Sequence, residues 1–111
     1  MGAQDIQELV FAVDVSSFTK NGFIGTTSFG GKPVEVEFDD GDEGIFLSAE
    51  MCEKIGVRKN SKVDVIVEAD DRPQVAESVL AGVVKAPRVS NAKVYYEVGR
   101  SGGAVVRIRK R

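Results

Sequence analysis

Apolar and polar residues alternate along most of the chain, and this period of two is typical of β-strands that bury one face. In residues 34–38, for example, valine and phenylalanine alternate with two glutamates. The segments that follow the pattern are 8–15, 22–27, 34–38, 44–47, 63–68, 77–84, 93–98 and 106–109. The alternation therefore predicts seven or eight strands.

One segment departs from the alternation and has the spacing of a helix. Leu47, Met51 and Ile55 recur at every fourth position and would form a narrow apolar stripe. A serine that can cap a helix N-terminus precedes this stripe, and a glycine that can end a helix follows it. These features predict one short α-helix at about residues 48–56.

The connections between the predicted strands carry residues that favour tight turns. The turn dipeptides are Asn21-Gly22, Gly30-Gly31, Asp40-Gly41 and Gly102-Gly103. A chain of 111 residues fits one domain. Because eight strands in an open sheet would leave exposed edges, we expect residues 1–111 to form a single mainly β domain, a small barrel of mostly antiparallel strands.

Charge is divided unequally between the two halves of the sequence. Residues 1–57 contain eleven acidic and three basic side chains, whereas residues 58–111 contain six acidic and twelve basic ones. Such a division favours either an anionic partner for the basic half or contact between the two halves themselves.

The basic side chains near the C-terminus are the strongest candidate contact site. They are Arg100, Arg107, Arg109, Lys110 and Arg111. Guanidinium groups in a row can meet the phosphates of a nucleic acid or another polyanion. The interpretation that we favour is pairing with an acidic complement, Glu35 and Glu37, on an adjacent strand or on a second subunit.

The absence of histidine narrows the chemistry of the chain. It excludes the usual Ser-His and Cys-His nucleophile pairs, and with one cysteine it argues against a structural zinc site. We therefore expect no catalytic residue, no metal site and no cofactor. Whether the protein is an enzyme stays open, with the balance toward a non-catalytic role.

Four carboxylates lie close together in residues 39–43. Loops rich in oxygen ligands bind Ca²⁺, so a weak cation site is one interpretation. The spacing of an EF-hand is absent, and aspartate and glycine are common in hairpin turns. A turn exposed to water is therefore the interpretation that we favour.

The chain has no stretch near the roughly 18 apolar residues that a membrane span needs, so we expect no membrane partner. Its first eight residues lack the basic start and apolar run of a secretory signal. The single Cys52 cannot form an internal disulfide, which fits a reducing compartment. These features predict a cytoplasmic protein.

Residues 45–68 combine a strand, the short helix, the sequence Ile55-Gly56-Val57, a turn at Asn60-Ser61 and a second strand. This unit resembles an element of the cradle-loop barrels, a group that includes the AbrB-type transition regulators and the double-psi β-barrels. Those families commonly have Gly-Asp at the turn. The resemblance implies a small barrel with a capping helix. A double-psi barrel would need a second copy of the helix, and no copy is visible after residue 68.

AbrB-type proteins are usually swapped dimers that bind DNA. For this chain, the resemblance would place DNA contacts in basic loops such as Arg58-Lys59.

A second set of short sequences resembles the flavin-binding split barrels. They are Gly25-Thr26-Thr27, Gly31-Lys32-Pro33, Asp40-Gly41, Ile45-Phe46, Lys62-Val63 and Val67-Glu68. In that family, a threonine followed by a Gly-Lys-Pro run and an apolar strand precedes the cofactor site. The resemblance implies a flavin-binding protein, although the basic and Ser/Thr cluster that usually holds the cofactor phosphate is not evident here.

Three hypotheses for function follow from these observations. The first is a non-catalytic binding or assembly module that acts as a homo-oligomer, with the acidic and basic halves setting the geometry of the subunits. The second is a nucleic-acid-binding regulator that uses the basic C-terminal half. The third is a flavin-binding split-barrel protein.

Overall fold

The computed structural model describes residues 7–70 and 72–111, and these residues form eight strands and two helices. In chain order the elements are β1 (Glu8–Phe18), β2 (Gly22–Phe29), β3 (Lys32–Asp39), β4 (Gly44–Leu47), α1 (Ala49–Ile55), β5 (Lys62–Ala69), β6 (Arg72–Val83), β7 (Arg88–Ser90), α2 (Ala92–Ser101) and β8 (Gly103–Lys110). The strands close into a barrel in the order β1-β2-β3-β7-β4-β6-β5-β8. The prediction of a mainly β fold, a small barrel of seven or eight strands, is confirmed.

Hairpins join β1 to β2, β2 to β3 and β5 to β6, and all three pairs are antiparallel. The turn between β2 and β3 uses Gly30 and Gly31, both with positive φ, which suits residues without a side chain. Gly22 is needed for a different reason. A Cβ at this position would lie 1.9 Å from the carbonyl oxygen of Phe38 on the neighbouring strand.

Two of the strand pairs are parallel, β3 with β7 and β4 with β6, and the other six are antiparallel. The short strand β7 lies between β3 and β4, although the chain passes directly from β3 to β4 through residues 40–43. The loop of residues 40–43 therefore crosses the end of β7 at one end of the barrel.

Helix α1 agrees with the predicted segment. The Ser48 hydroxyl accepts a hydrogen bond from the backbone N–H of Met51, and Gly56 ends the helix in the left-handed conformation. Met51, Cys52 and Ile55 are buried in the barrel core. Burial raises the pKa of the Cys52 thiol, so this cysteine is a packing residue rather than a reactive one.

Helix α2 was not expected, because residues 93–98 were predicted as a strand. That prediction is wrong. Val94 and Val98 are four positions apart, a spacing that fits one face of a strand and also one face of a helix. In the structure both are buried on one side of a helix. The side chain of Asn91 caps the N-terminus by accepting a hydrogen bond from the backbone N–H of Val94, and Gly102 ends the helix.

The second helix also corrects the expectation that the strand–helix–strand unit occurs once. Helix α1 connects β4 to β5, and α2 connects β7 to β8. The first strand of each unit has one parallel neighbour. The units contact each other through two antiparallel pairs, β4 with β7 and β5 with β8. The chain thus contains two copies of one arrangement.

Alternate residues of the strands fill the barrel with apolar side chains. The largest of those almost completely buried include Phe23, Phe38, Leu9, Ile45, Leu80 and Ile108. The rings of Phe23 and Phe38 stack with centroids 5.1 Å apart, and the Tyr95 ring of α2 stacks on Phe23 at 5.3 Å. Helix α2 therefore packs on the aromatic end of the core.

Neither helix within the described ranges, 7–70 and 72–111, has the length and apolar character needed to cross a membrane. The expectation of a cytoplasmic location depended partly on the first eight residues. Residues 1–6 lie outside the described ranges.

Candidate binding cleft and arginine–carboxylate clusters

A cleft of about 720 Å³ lies at the end of the barrel that α2 covers. The tip of the β1–β2 hairpin forms one wall, and the loop between β3 and β4 forms another. The lining side chains include Phe18, Lys20, Asn21, Asp39, Asp40, Glu43, Arg88, Ser90 and Tyr95. The volume falls within the range of roughly 300–1,000 Å³ that is usual for small-ligand sites.

The hairpin wall is held by local hydrogen bonds. The backbone N–H of Thr19 donates to the carbonyl of Gly22 at 2.9 Å, and the N–H of Gly22 donates to the Thr19 hydroxyl at 3.0 Å. Phe18 lies opposite Phe23 in the strand register, but its side chain is 82% exposed. The hairpin thus presents a large apolar ring at the mouth of the cleft.

The floor of the cleft is built around the carboxylate of Asp39, which is only 8% exposed. One carboxylate oxygen accepts hydrogen bonds from the Ser90 hydroxyl at 2.6 Å and from the backbone N–H of Gly41 at 2.9 Å. The other oxygen accepts from Arg88 at 2.9 Å. Asp39 and Ser90 are register partners at the ends of the parallel strands β3 and β7, which explains why they meet.

Arg88 connects this floor to the loop wall. Its second terminal nitrogen donates to the carboxylate of Glu43, and its guanidinium carbon lies 4.4 Å from the ring centroid of Phe46. The backbone N–H of Glu43 donates to the Ser90 hydroxyl at 3.3 Å. We call Asp39, Glu43, Arg88 and Ser90 the floor cluster.

Burial and hydrogen bonding have opposite effects on the pKa of Asp39. Burial alone would raise the pKa of this carboxyl group, but the hydrogen bonds from Ser90, Gly41 and Arg88 outweigh it, so the pKa lies below its ordinary value. Conversely, the hydrogen bond to Glu43, followed by that to Asp39, raises the pKa of Arg88 against the effect of burial. Both groups are charged at neutral pH.

A serine hydrogen-bonded to an aspartate invites comparison with an activated nucleophile, but the geometry argues against this role. Ser90 is 1% exposed, so a substrate cannot reach its hydroxyl. Asp39 has a lowered pKa and accepts hydrogen bonds at both oxygens, so it is a poor acceptor for a proton. The floor cluster is therefore suited to hold the shape of the cleft.

The acidic run 39–43, for which the sequence left two interpretations, is neither entirely solvated nor arranged as a metal-ion site. Asp39 points inward, and both Asp39 and Glu43 bind Arg88. Within residues 7–70 and 72–111, the structure contains no group of three or more side chains arranged to hold a metal ion. Gly41 allows the loop to pass close to Ser90, because a Cβ there would lie 2.6 Å from the Ser90 hydroxyl oxygen.

Of the predicted basic site, Arg107 lies on the outer surface of the barrel. Its guanidinium group donates to Glu8 of β1 at 2.8 Å and to Glu68 of β5 at 3.0 Å. The hydrogen bond to Glu68, followed by that to Glu8, raises the pKa of Arg107. The pairing of basic and acidic side chains thus occurs within one chain at this residue.

Two other arginines of the basic site also meet carboxylates of their own chain. Arg111 lies 3.3 Å from Asp64 of β5 and 3.3 Å from Glu77 of β6. Arg100 of α2 lies 2.8 Å from Asp70 and 3.0 Å from Glu97. The basic residues are therefore distributed over two surfaces and do not form one continuous patch.

The remaining members of the predicted site have different positions. Arg109 faces Glu8 on one neighbouring strand and Asp64 on the other, and Lys110 is exposed at the end of β8. The expectation that Glu35 and Glu37 lie on a strand adjacent to these arginines in the same chain is wrong, because β1 and β2 separate β3 from β8. Glu37 instead lies opposite Arg88. Pairing between subunits stays a prediction.

Comparison of the chain with protein-family models, curated proteins and solved structures finds no match in any of the three.

Proposed function

We propose that the protein is a non-catalytic binding or assembly module that works as a homo-oligomer. The observation that carries this proposal is an outer face formed by β1, β8, β5 and β6. We call it the four-strand face. One row across it consists of Val10, Arg107, Ile66 and Val75, which are successive register partners. Val10 is 48% exposed and Val75 is 49% exposed.

The row is apolar apart from Arg107, Ile66 within it is only 8% exposed, and charged residues of both signs border the row. The next row consists of Glu8, Arg109, Asp64 and Glu77. On the other side of the valines lies Glu68, which binds Arg107. This row contains one arginine among three carboxylates, so a second copy in a two-fold arrangement can place its arginines against carboxylates of the first. This is the specific form in which charge would set the geometry of the subunits.

Sedimentation velocity of the purified chain over a range of concentrations tests this proposal. We expect the wild-type chain to be a dimer and the double variant Val10→Glu, Val75→Glu to be a monomer. The two new carboxylates would lose their hydration if the contact formed, and those of the two copies would repel each other. Val83→Glu is the matched control: this valine is also exposed on β6 but lies outside the row. A wild-type chain that stays a monomer at every concentration, at low and high salt, would refute the proposal.

The resemblance to cradle-loop barrels is part of the proposal. Its support is the second strand–helix–strand unit, β7–α2–β8, which supplies the copy of the helix that a double-psi barrel requires. We therefore infer a relation to the double-psi branch of that group. A stable fragment or a designed chain made of two identical units that folds to the same barrel would support the relation.

Nucleic-acid binding has less support. Arg100, Arg107 and Arg111 bind carboxylates of their own chain, so phosphates would have to displace those partners. Weak DNA and RNA binding, with little change between low and high salt, is the expected result.

The flavin hypothesis stays a prediction. A yellow colour in the purified protein, or a thermal shift with flavins, would support it.

A further inference from the structure

We propose that the cleft at the α2 end of the barrel binds an organic cation, an ammonium or guanidinium group carried on an apolar stem. The cleft does not include the four-strand face, so this inference does not depend on the oligomeric state. Its basis is the distribution of charge, the position of two aromatic rings and the hydrogen bonding of the floor.

The charge of the lining favours a cation. Three carboxylates and two basic side chains line the cleft. Arg88 uses both terminal nitrogens on Asp39 and Glu43, and Asp39 already accepts at both of its oxygens. An incoming cation would meet Asp40 and the second oxygen of Glu43. Because Arg88 is already engaged in this way, an incoming anion would have Lys20, on the exposed hairpin tip, and a lining whose net charge is negative.

The aromatic side chains supply a surface for the apolar stem and for the charge itself. Phe18 is 82% exposed at the mouth, so its ring is accessible to a ligand in the cleft. Tyr95 lines the cleft and is fixed by stacking on Phe23. A cation over the face of an aromatic ring gains about 0.5–2 kcal/mol, depending on its exposure to water.

The floor of the cleft is already formed without a ligand. The floor cluster satisfies its own hydrogen bonds, and the backbone N–H of Asn91 donates to the carbonyl of Asp39 at 3.2 Å, which ties the start of α2 to β3. Little of the binding free energy would then be spent on ordering the site.

NMR titration of the ¹⁵N-labelled chain can test the inference with four probes. Spermidine represents free polyamines, N-acetyl-lysine methylamide represents a lysine within a peptide, N-acetyl-norleucine methylamide is the uncharged control, and N-acetyl-glutamate methylamide is the anionic control. We expect a cationic probe to shift the amide signals of residues 18–22 and 40–43 and to bind about tenfold more tightly than norleucine. Comparison of spermidine with the lysine probe distinguishes a small-molecule ligand from a peptide.

Two variants and a control locate the binding. Phe18→Ser and Asp40→Asn change exposed side chains of the cleft and should weaken the cationic probe severalfold, whereas Tyr96→Ser changes a ring that is 63% exposed outside the cleft and should not. The inference is overturned if no cationic probe shifts these signals, if the glutamate probe binds as tightly, or if the two cleft variants bind as the wild type does.

Discussion

Arg88 and Arg107 each join two carboxylates, but they do so in different surroundings. Arg88 connects Asp39 and Glu43 at the floor of the cleft, where Asp39 also accepts hydrogen bonds from a buried hydroxyl and a backbone N–H. Arg107 connects Glu8 and Glu68 on the outer surface of three antiparallel strands. The backbone hydrogen bonds of those strands already hold them together, so the ion pairs of Arg107 add little to the stability of the sheet.

The comparison indicates that burial and hydrogen bonding, more than the number of ion pairs, decide what an arginine bridge contributes. In the floor cluster, removal of Asp39 leaves the buried Ser90 hydroxyl without its acceptor and away from water. On the outer surface, water replaces any partner that is removed. Three experiments can test this difference, from the largest expected effect to the smallest.

Replacement of the central carboxylate should have the largest effect. Asp39→Ala would leave the Ser90 hydroxyl and the Gly41 N–H without their acceptor, and Arg88 would lose one of its two partners. We expect the free energy of unfolding in urea to fall by about 3 kcal/mol. The control is Glu35→Ala, an exposed position on the same strand, with an expected change within about 0.5 kcal/mol. Equal effects of the two variants would contradict the importance of the cluster.

The pH dependence of stability should also depend on Asp39. Because its pKa is lower in the folded chain, its ionised form stabilises the fold fully above the unfolded pKa of about 3.9, and this contribution is lost as the pH falls through the folded pKa. Asp39→Asn removes the titrating group. The difference in unfolding free energy between wild type and variant should therefore shrink on acidification below about pH 4. Urea unfolding at several pH values measures it, and a constant difference would contradict the lowered pKa.

Loss of the outer bridge should have the smallest effect. Arg107→Gln removes the charge and the contacts to Glu8 and Glu68 and leaves a shorter, polar side chain. At a protein concentration low enough to keep the chain monomeric, we expect the urea midpoint to move much less than in Asp39→Ala, and the shift to shrink further in high salt because exposed charges are screened. A shift as large as that of Asp39→Ala, and independent of salt, would show that the two bridges are equivalent.

Most of the barrel could be predicted from the sequence because most of its strands bury one face and therefore alternate between apolar and polar residues. Helix α1 could be predicted because an apolar stripe and both caps coincide. Helix α2 was missed because Val94, Tyr96 and Val98 satisfy a period of two as well as the spacing of four between its buried valines. The cap at Asn91 and the stop at Gly102 were present in the sequence and could have resolved this ambiguity.

The floor cluster was less accessible to prediction. Asp39 and Arg88 are 49 positions apart, and they meet because β7 inserts beside β3 in parallel, a crossing that no local pattern encodes. The unequal distribution of acidic and basic residues between the two halves of the sequence indicated that these groups pair. It could not identify which carboxylate each arginine contacts. The glutamates on β3 and the arginines on β8 alternate with equal regularity, and only the order of the strands separates them.

The position of β7 has a consequence for the synthesis of the chain. When β3 and β4 leave the ribosome, they cannot yet pair with β7, because its three residues are translated more than forty positions later. The two strand edges that face this gap therefore lack their partner until β7 is translated, and slow closure with a need for protection from aggregation is expected of such topologies.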